Sequence, residues 1–202
     1  LAFLMGNFVS CQSWHEAKEV IAEADSMLVV HKVVVRDTAA LASAINTLDG
    51  TLGSIFARED LAKAYYFMGR NFYYLKDFST AADYYILCDR MNPSDPMYKG
   101  RINSCMGYLC KQDSCFEEAL IFYERSSNAF KASGNEWYYA HNLLNVIECQ
   151  IFLRQYSTAD SLLHVAEEYH MDSAYCARLY SMRGFLYYNQ QDYNLALTSL
   201  KN

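Results

Sequence analysis

The feature that most restricts what this 202-residue chain can fold into is a recurring pair of small residues. Gly69 precedes Ala81 by twelve positions, and Gly107 and Gly184 precede Ala119 and Ala196 by the same interval. An aromatic residue stands three positions before each alanine: Phe78, Phe116 and Tyr193. A fourth segment keeps the aromatic and the alanine, Tyr156 and Ala159, with Ile147 where the glycine would be. Successive alanines lie 38, 40 and 37 residues apart. A period so nearly constant marks a stack of repeated units, each buried against its neighbours.

Inside a unit the apolar positions follow a helical period, as in Ala62, Tyr65, Tyr66, Gly69, Phe72 and Tyr73, then Phe78, Ala81, Ala82, Tyr85 and Cys88. The pattern predicts two antiparallel helices, with glycine and alanine where their backbones cross closely. Asp77 and Asp192 are placed to cap second helices, Ser114 with Glu117 reads as a capping box, and Gly134 as a helix stop. Asn92-Pro93-Ser94-Asp95-Pro96 closes the first unit, with Asp95 as a cap and Pro96 at the tolerated first helical position. Composition agrees. With 52% hydrophobic and 20% charged residues the chain can bury a core, and 8 Gly and 2 Pro are too few to turn the many strands of a sandwich or barrel. The expected class is all-α.

Gly69, Phe72, Phe78, Ala81, Tyr85 and Pro93 stand in the order and spacing of the tetratricopeptide repeat, and the chain resembles that family over roughly residues 58–202. The resemblance implies a right-handed superhelical solenoid of helix hairpins whose concave face holds peptides or proteins. It divides the chain into units at about 58–93, 94–134, 135–171 and 172–202, the last reading as cut short. These units exceed the family length of about 34 residues, and only the first keeps the closing proline. Residues 12–57 read as a cap and connector. Trp14-His15-Glu16-Ala17 repeats the aromatic and alanine cue, Val29 to Arg36 favours extended structure, and Asp37-Thr38 caps a helix through about Leu48.

The opening residues 1–11 are uncharged and mostly apolar but too short to span a membrane, which needs about 18 or more residues. They fit the apolar part of a signal peptide whose basic start is missing. Ser10 before Cys11 resembles the lipobox of bacterial lipoproteins, in which the cysteine is acylated; Phe8 departs from the usual leucine. The plainer alternative is an apolar first segment with a buried cysteine. Together with the repeats, the lipobox makes the chain resemble envelope-anchored repeat proteins of bacteria. No two of the seven cysteines form a Cys-x-x-Cys pair, and Cys88, Cys105, Cys110 and Cys149 fall in apolar helical patterns, so buried free thiols are expected.

A net charge of −6 has the wrong sign for a nucleic-acid binder. No phosphate loop, nucleophile elbow, dinucleotide fingerprint or zinc-protease motif occurs, so neither catalysis nor a cofactor is expected. His164, Glu167, Glu168 and His170 could ligate a metal, but their spacing more simply describes a solvated face. The stripe of each first helix that faces away from its own second helix is more informative. It holds Lys63, Tyr66, Arg70, Tyr73 and Tyr74 in the first unit; Arg101, Ser104, Tyr108, Lys111 and Gln112 in the second; His141, Leu144, Glu148, Ile151 and Phe152 in the third; and Arg178, Ser181, Phe185, Tyr188 and Asn189 in the fourth. One reading is a groove in which tyrosines supply area and basic heads meet a partner's carboxylates, with Arg70, Arg101 and Arg178 on one surface. The other is tyrosines packing between units while basic heads reach out to water.

The expectation is thus a non-enzymatic protein-binding scaffold, anchored at the cell envelope through Cys11. The rival classes are the sensor region of a membrane-spanning regulator and a glycan-binding outer-membrane lipoprotein, the last disfavoured by only two tryptophans. Labelling cells with a fatty-acid analogue tests the anchor: wild-type protein is expected to carry label and Cys11→Ala to carry none, whereas equal labelling of the two removes the lipobox reading.

Overall fold

The computed structural model describes residues 13, 15–26, 38–49, 55–169 and 171–201, with side chains at 55–57 left aside. Cys11, the Val29–Arg36 run and the Asp37 cap lie outside these residues. All regular structure among the described residues is helical: α1 over residues 15–26, α2 Thr38–Asp49, α3 Ile55–Tyr74, α4 Phe78–Met91, α5 Pro96–Gln112, α6 Phe116–Ala132, α7 Glu136–Phe152, α8 Tyr156–Glu167, α9 Ser173–Asn189 and α10 Tyr193–Ser199. The chain forms two compact units, Leu1–Ser94 and Asp95–Asn202.

In the first unit α3 pairs with α4 and α2 packs on α3. Helix α1 buries Ala17, Ile21 and Ala24, and α2 buries Leu41, Ala44 and Leu48, each set at helical spacing. Lys18 reaches Asp60 at 3.3 Å and Lys63 reaches Asp25 at 3.4 Å, tying α1 to α3. The second unit contains three hairpins, α5 with α6, α7 with α8 and α9 with α10, and α7 also packs on α9.

The glycines of the first two hairpins each make room for one particular side chain. A Cβ on Gly69 would lie 2.6 Å from the ring of Tyr85, and one on Gly107 would lie 2.9 Å from the ring of Tyr123. Both rings are buried, to 0% and 1% exposure, so neither can step aside. Each ring stands four residues after the signature alanine, directly on the glycine of the preceding helix. The third hairpin reaches the same end differently. Ile147 replaces the glycine, and the position four after Ala159 is Leu163 instead of a tyrosine, both at 0% exposure in one cluster. A larger residue on one helix is matched by a smaller one opposite.

A second crossing of small residues lies one turn pair further along. Cys88 Sγ donates to the Ala62 carbonyl at 2.9 Å, and Ser126 Oγ donates to the Gly100 carbonyl at 2.8 Å. The third hairpin has Ala140 and Ala166 there, both fully buried. Gly100 is as tightly placed as the repeat glycines, with 2.5 Å from a would-be Cβ to the Phe130 ring.

Asp77, Asp95 and Asp192 cap their helices as their positions suggest, accepting from the amides of Thr80, Met97 and Leu195. Pro96 opens α5, and Gly134 follows α6 with φ +70°. The expected capping box at Ser114 is not formed. Cys115 is the N-cap of α6 and makes no side-chain cap bond, while Ser114 has φ +60°. Ser114 is left-handed because the turn demands it. All four hairpin turns repeat one geometry, with Lys76, Ser114, Arg154 and Gln191 at φ between +60° and +65°. In each turn this residue donates three residues back and its successor five residues back, as in Arg154 N to Ile151 O at 3.0 Å and Gln155 N to Gln150 O at 2.8 Å. That is the Schellman closure, which satisfies the last carbonyls of the first helix.

Among the cysteines, Cys88 and Cys149 are buried as expected, whereas Cys105, Cys110 and Cys176 are half-buried and Cys115 is exposed. Because a non-glycine residue pays about 1–2 kcal/mol for the left-handed region, exposed Arg154→Gly is expected to stabilise the fold by about 0.5–1 kcal/mol despite glycine's greater freedom when unfolded. An unchanged or lower denaturant midpoint would show that the turn does not impose this backbone.

Candidate functional site

The outward stripe of α5, α7 and α9 in the second unit is built by the repeat itself. Residues on successive first helices come side by side at an interval of 37, which is the period between the third and fourth units and one helical turn short of the 40 between the second and third. Lys111 Nζ lies 2.8 Å from Glu148 Oε2, 37 positions later. Arg101 donates to the Tyr138 hydroxyl at 3.4 Å over the same interval and lies over the rings of Tyr98 and Tyr138. Arg178 donates to the His141 carbonyl, again 37 positions away, and to Asn145 Oδ1 at 2.5 Å. Arg178 also reaches Glu148 at 3.5 Å, so one carboxylate sits between two cations. Lys111, Glu148 and Arg178 have side chains 16%, 20% and 35% exposed, a partly desolvated setting in which charge-assisted bonds are strong. Burial and the Glu148 charge push the adjacent Cys149 thiol up to about 12, with Lys111 opposing, so it stays a neutral core residue.

Below this ladder runs a row of aromatic rings. Phe116 and Phe152 stack in parallel with centroids 4.2 Å apart, and Phe152 meets Phe185 at 5.2 Å. Tyr188, one turn beyond Phe185 on α9, contacts Tyr193 at 5.7 Å. Phe152 is 44% exposed and Tyr188 is 61% exposed, although both are large and apolar-bodied. Lys111 lies near the ring of Tyr108, the remaining stripe tyrosine of α5.

In the first unit the stripe is more closed. Tyr66 is buried at 4% exposure and belongs to the core, which corrects its placement on an open groove. Arg70 donates to the Tyr74 hydroxyl at 2.7 Å and lies over the rings of Tyr66 and Tyr74, while Tyr73 packs against Tyr74 and Phe78. Lys63 is taken up by Asp25. Tyrosines pack against arginines, but the basic heads are met largely by the chain's own groups and do not simply reach out to water. Tyr138 and Asn145 were missed as partners. The period of 40 between the second and third units maps Arg101 onto His141 and Lys111 onto Ile151, and the partners found, Tyr138 and Glu148, lie one helical turn before those positions.

On α8, Glu167 forms an ion pair with Arg183 of α9, and His164 Nδ1 lies 3.4 Å from Glu167. The hydrogen bond from Arg183 holds the Glu167 carboxyl below its ordinary range. No group of three or more potential metal ligands comes together among the described residues. No described helix is long and apolar enough to cross a membrane.

No protein-family model matches the chain, and no curated protein matches it. Among solved structures it is similar to BtubC (BKLC) from P. vanneervenii, with a TM-score of 0.63 at 14% identity over 95% of this chain and 88% of that one. At that identity the likeness concerns the fold, an all-helical array of neighbouring helix pairs.

Proposed function

We propose that this chain is a non-enzymatic scaffold of tetratricopeptide type that binds a polypeptide on the α5, α7 and α9 stripe, and that Cys11 anchors it at the bacterial cell envelope. The tetratricopeptide reading rests on the glycine and alanine spacing, the four identical hairpin turns and the alignment of first helices within the second unit. The observation that carries the binding role is the exposure of Phe152 and Tyr188 beside a ladder of two cations and one carboxylate. Exposed aromatic faces give contact area at low entropic cost, and aromatic and arginine groups are the usual anchors of protein interfaces. The excess of one positive charge in the Lys111, Glu148 and Arg178 set favours a segment with apolar or aromatic side chains flanked by Asp or Glu. The negative charge of the chain as a whole argues against nucleic acid as the partner.

Selecting displayed random peptides on the full chain tests the proposal. Enriched sequences are expected to combine an aromatic or aliphatic residue with acidic neighbours. Phe152→Ala with Tyr188→Ala should weaken a selected peptide about tenfold or more, roughly the effect of losing one good anchor. Lys111→Glu should weaken it more at low salt than at high, and Glu148→Gln, which releases both cations, should tighten it. No enrichment, or selected peptides indifferent to all these changes, would reject this face as the binding site.

A further inference from the structure

The α5–α6 turn is chemically unlike the other three turns of its kind. In a Schellman closure the residue three places before the helix end and the residue two places after it bring their side chains together. Here those positions are Cys110 and Cys115, joined by the hydrogen bond from Cys115 N to Cys110 O at 2.9 Å, with Ser114 N to Lys111 O at 3.0 Å completing the motif. The corresponding pairs are Phe72 with Asp77, Gln150 with Gln155 and Tyr187 with Asp192, so this turn alone among the four carries cysteines at both positions, with Cys115 Sγ 3.7 Å from the Asp113 carbonyl. Cys115 is exposed and open to reagents, and Cys110 is half-buried behind it. A backbone bond of 2.9 Å between the two residues puts their Cα atoms in the range a disulfide requires.

We propose that Cys110 and Cys115 form a disulfide that staples the α5–α6 turn whenever the chain meets an oxidising small-molecule disulfide. The Cys115 thiolate attacks the small disulfide, forming a mixed disulfide and expelling one thiolate. The Cys110 thiolate then attacks Cys115 Sγ, closing the protein S–S bond and expelling the second thiolate, which takes up a proton. Two protein thiols are oxidised and one small disulfide is reduced to two thiols. Burial, together with the charges of Cys115, Glu118 and Asp113, raises the Cys110 thiol above its ordinary range, so closure should accelerate as the pH rises. The staple joins the turn between Lys111 and Phe116, two residues of the ladder and the aromatic row, and so fixes the end of that face. It does not depend on what the face binds.

The folded full chain, equilibrated with mixtures of oxidised and reduced glutathione, gives the test. After alkylation and tryptic cleavage at Lys111, the bond joins two separate peptides, 102–111 and 112–125, which mass spectrometry identifies. The linked pair is expected in wild type and in Cys105→Ser, and absent in Cys110→Ser and Cys115→Ser. Oxidised wild type should also melt at a higher temperature than reduced, with no such difference in Cys115→Ser, a change at an exposed position. Glutathione added to Cys115 without closure, a link that persists in Cys110→Ser, or two freely alkylated thiols in the most oxidising mixture would overturn the proposal.

Discussion

The contact between a glycine on one helix and a tyrosine ring on the next governs the spacing of these hairpins. With Cβ positions at Gly69 and Gly107 falling within 3 Å of buried ring atoms, the ring lies on bare backbone. Helix axes can come close only because one side contributes no side chain there. The third hairpin meets the constraint with a different pair, Ile147 against Leu163. Gly100 under Phe130 and the small pairs at Ala62 with Cys88 and Gly100 with Ser126 extend the same contact along the hairpin.

The outward face of α5, α7 and α9 follows from that spacing. Within the second unit successive first helices pack so that residues 37 apart meet. Charges that look free in the sequence are thereby neutralised: Lys111 and Arg178 share Glu148, and Arg101 lies between tyrosine rings. What the repeat does not neutralise is the aromatic row, with Phe152 and Tyr188 left facing water. Half-exposed aromatic area beside a nearly balanced charge ladder is what the proposed binding role rests on.

The paired helices were legible because Gly, Ala and an aromatic at fixed intervals carry a steric message that needs no tertiary knowledge. The aspartate caps were legible for a similar reason, since a carboxylate before a helical run has a local task. The left-handed turns were not. Lys76, Ser114, Arg154 and Gln191 share a backbone but no side-chain property, so Ser114 was read as a cap. The charge pairs were hidden too, since each partner lies on a neighbouring first helix and not at the equivalent position of the repeat. Tyr66 misled for a simpler reason: helical spacing places it on the stripe, but ring contacts with Phe67 and Tyr85 draw it into the core.

The claim that complementary volume at the crossing sets the hairpin is tested most directly by a double-mutant cycle in the second unit. Gly107→Ile alone should destabilise by about 1–3 kcal/mol through overpacking against Tyr123. Tyr123→Leu alone should destabilise by leaving a void. The two together reproduce the Ile147 and Leu163 pair of the third hairpin, and the combined variant is expected to be more stable than Gly107→Ile alone, with a coupling of about 1 kcal/mol or more in denaturant unfolding. If the two losses simply add within about 0.5 kcal/mol, glycine and ring do not constrain each other, and the account of how these helices pack is wrong.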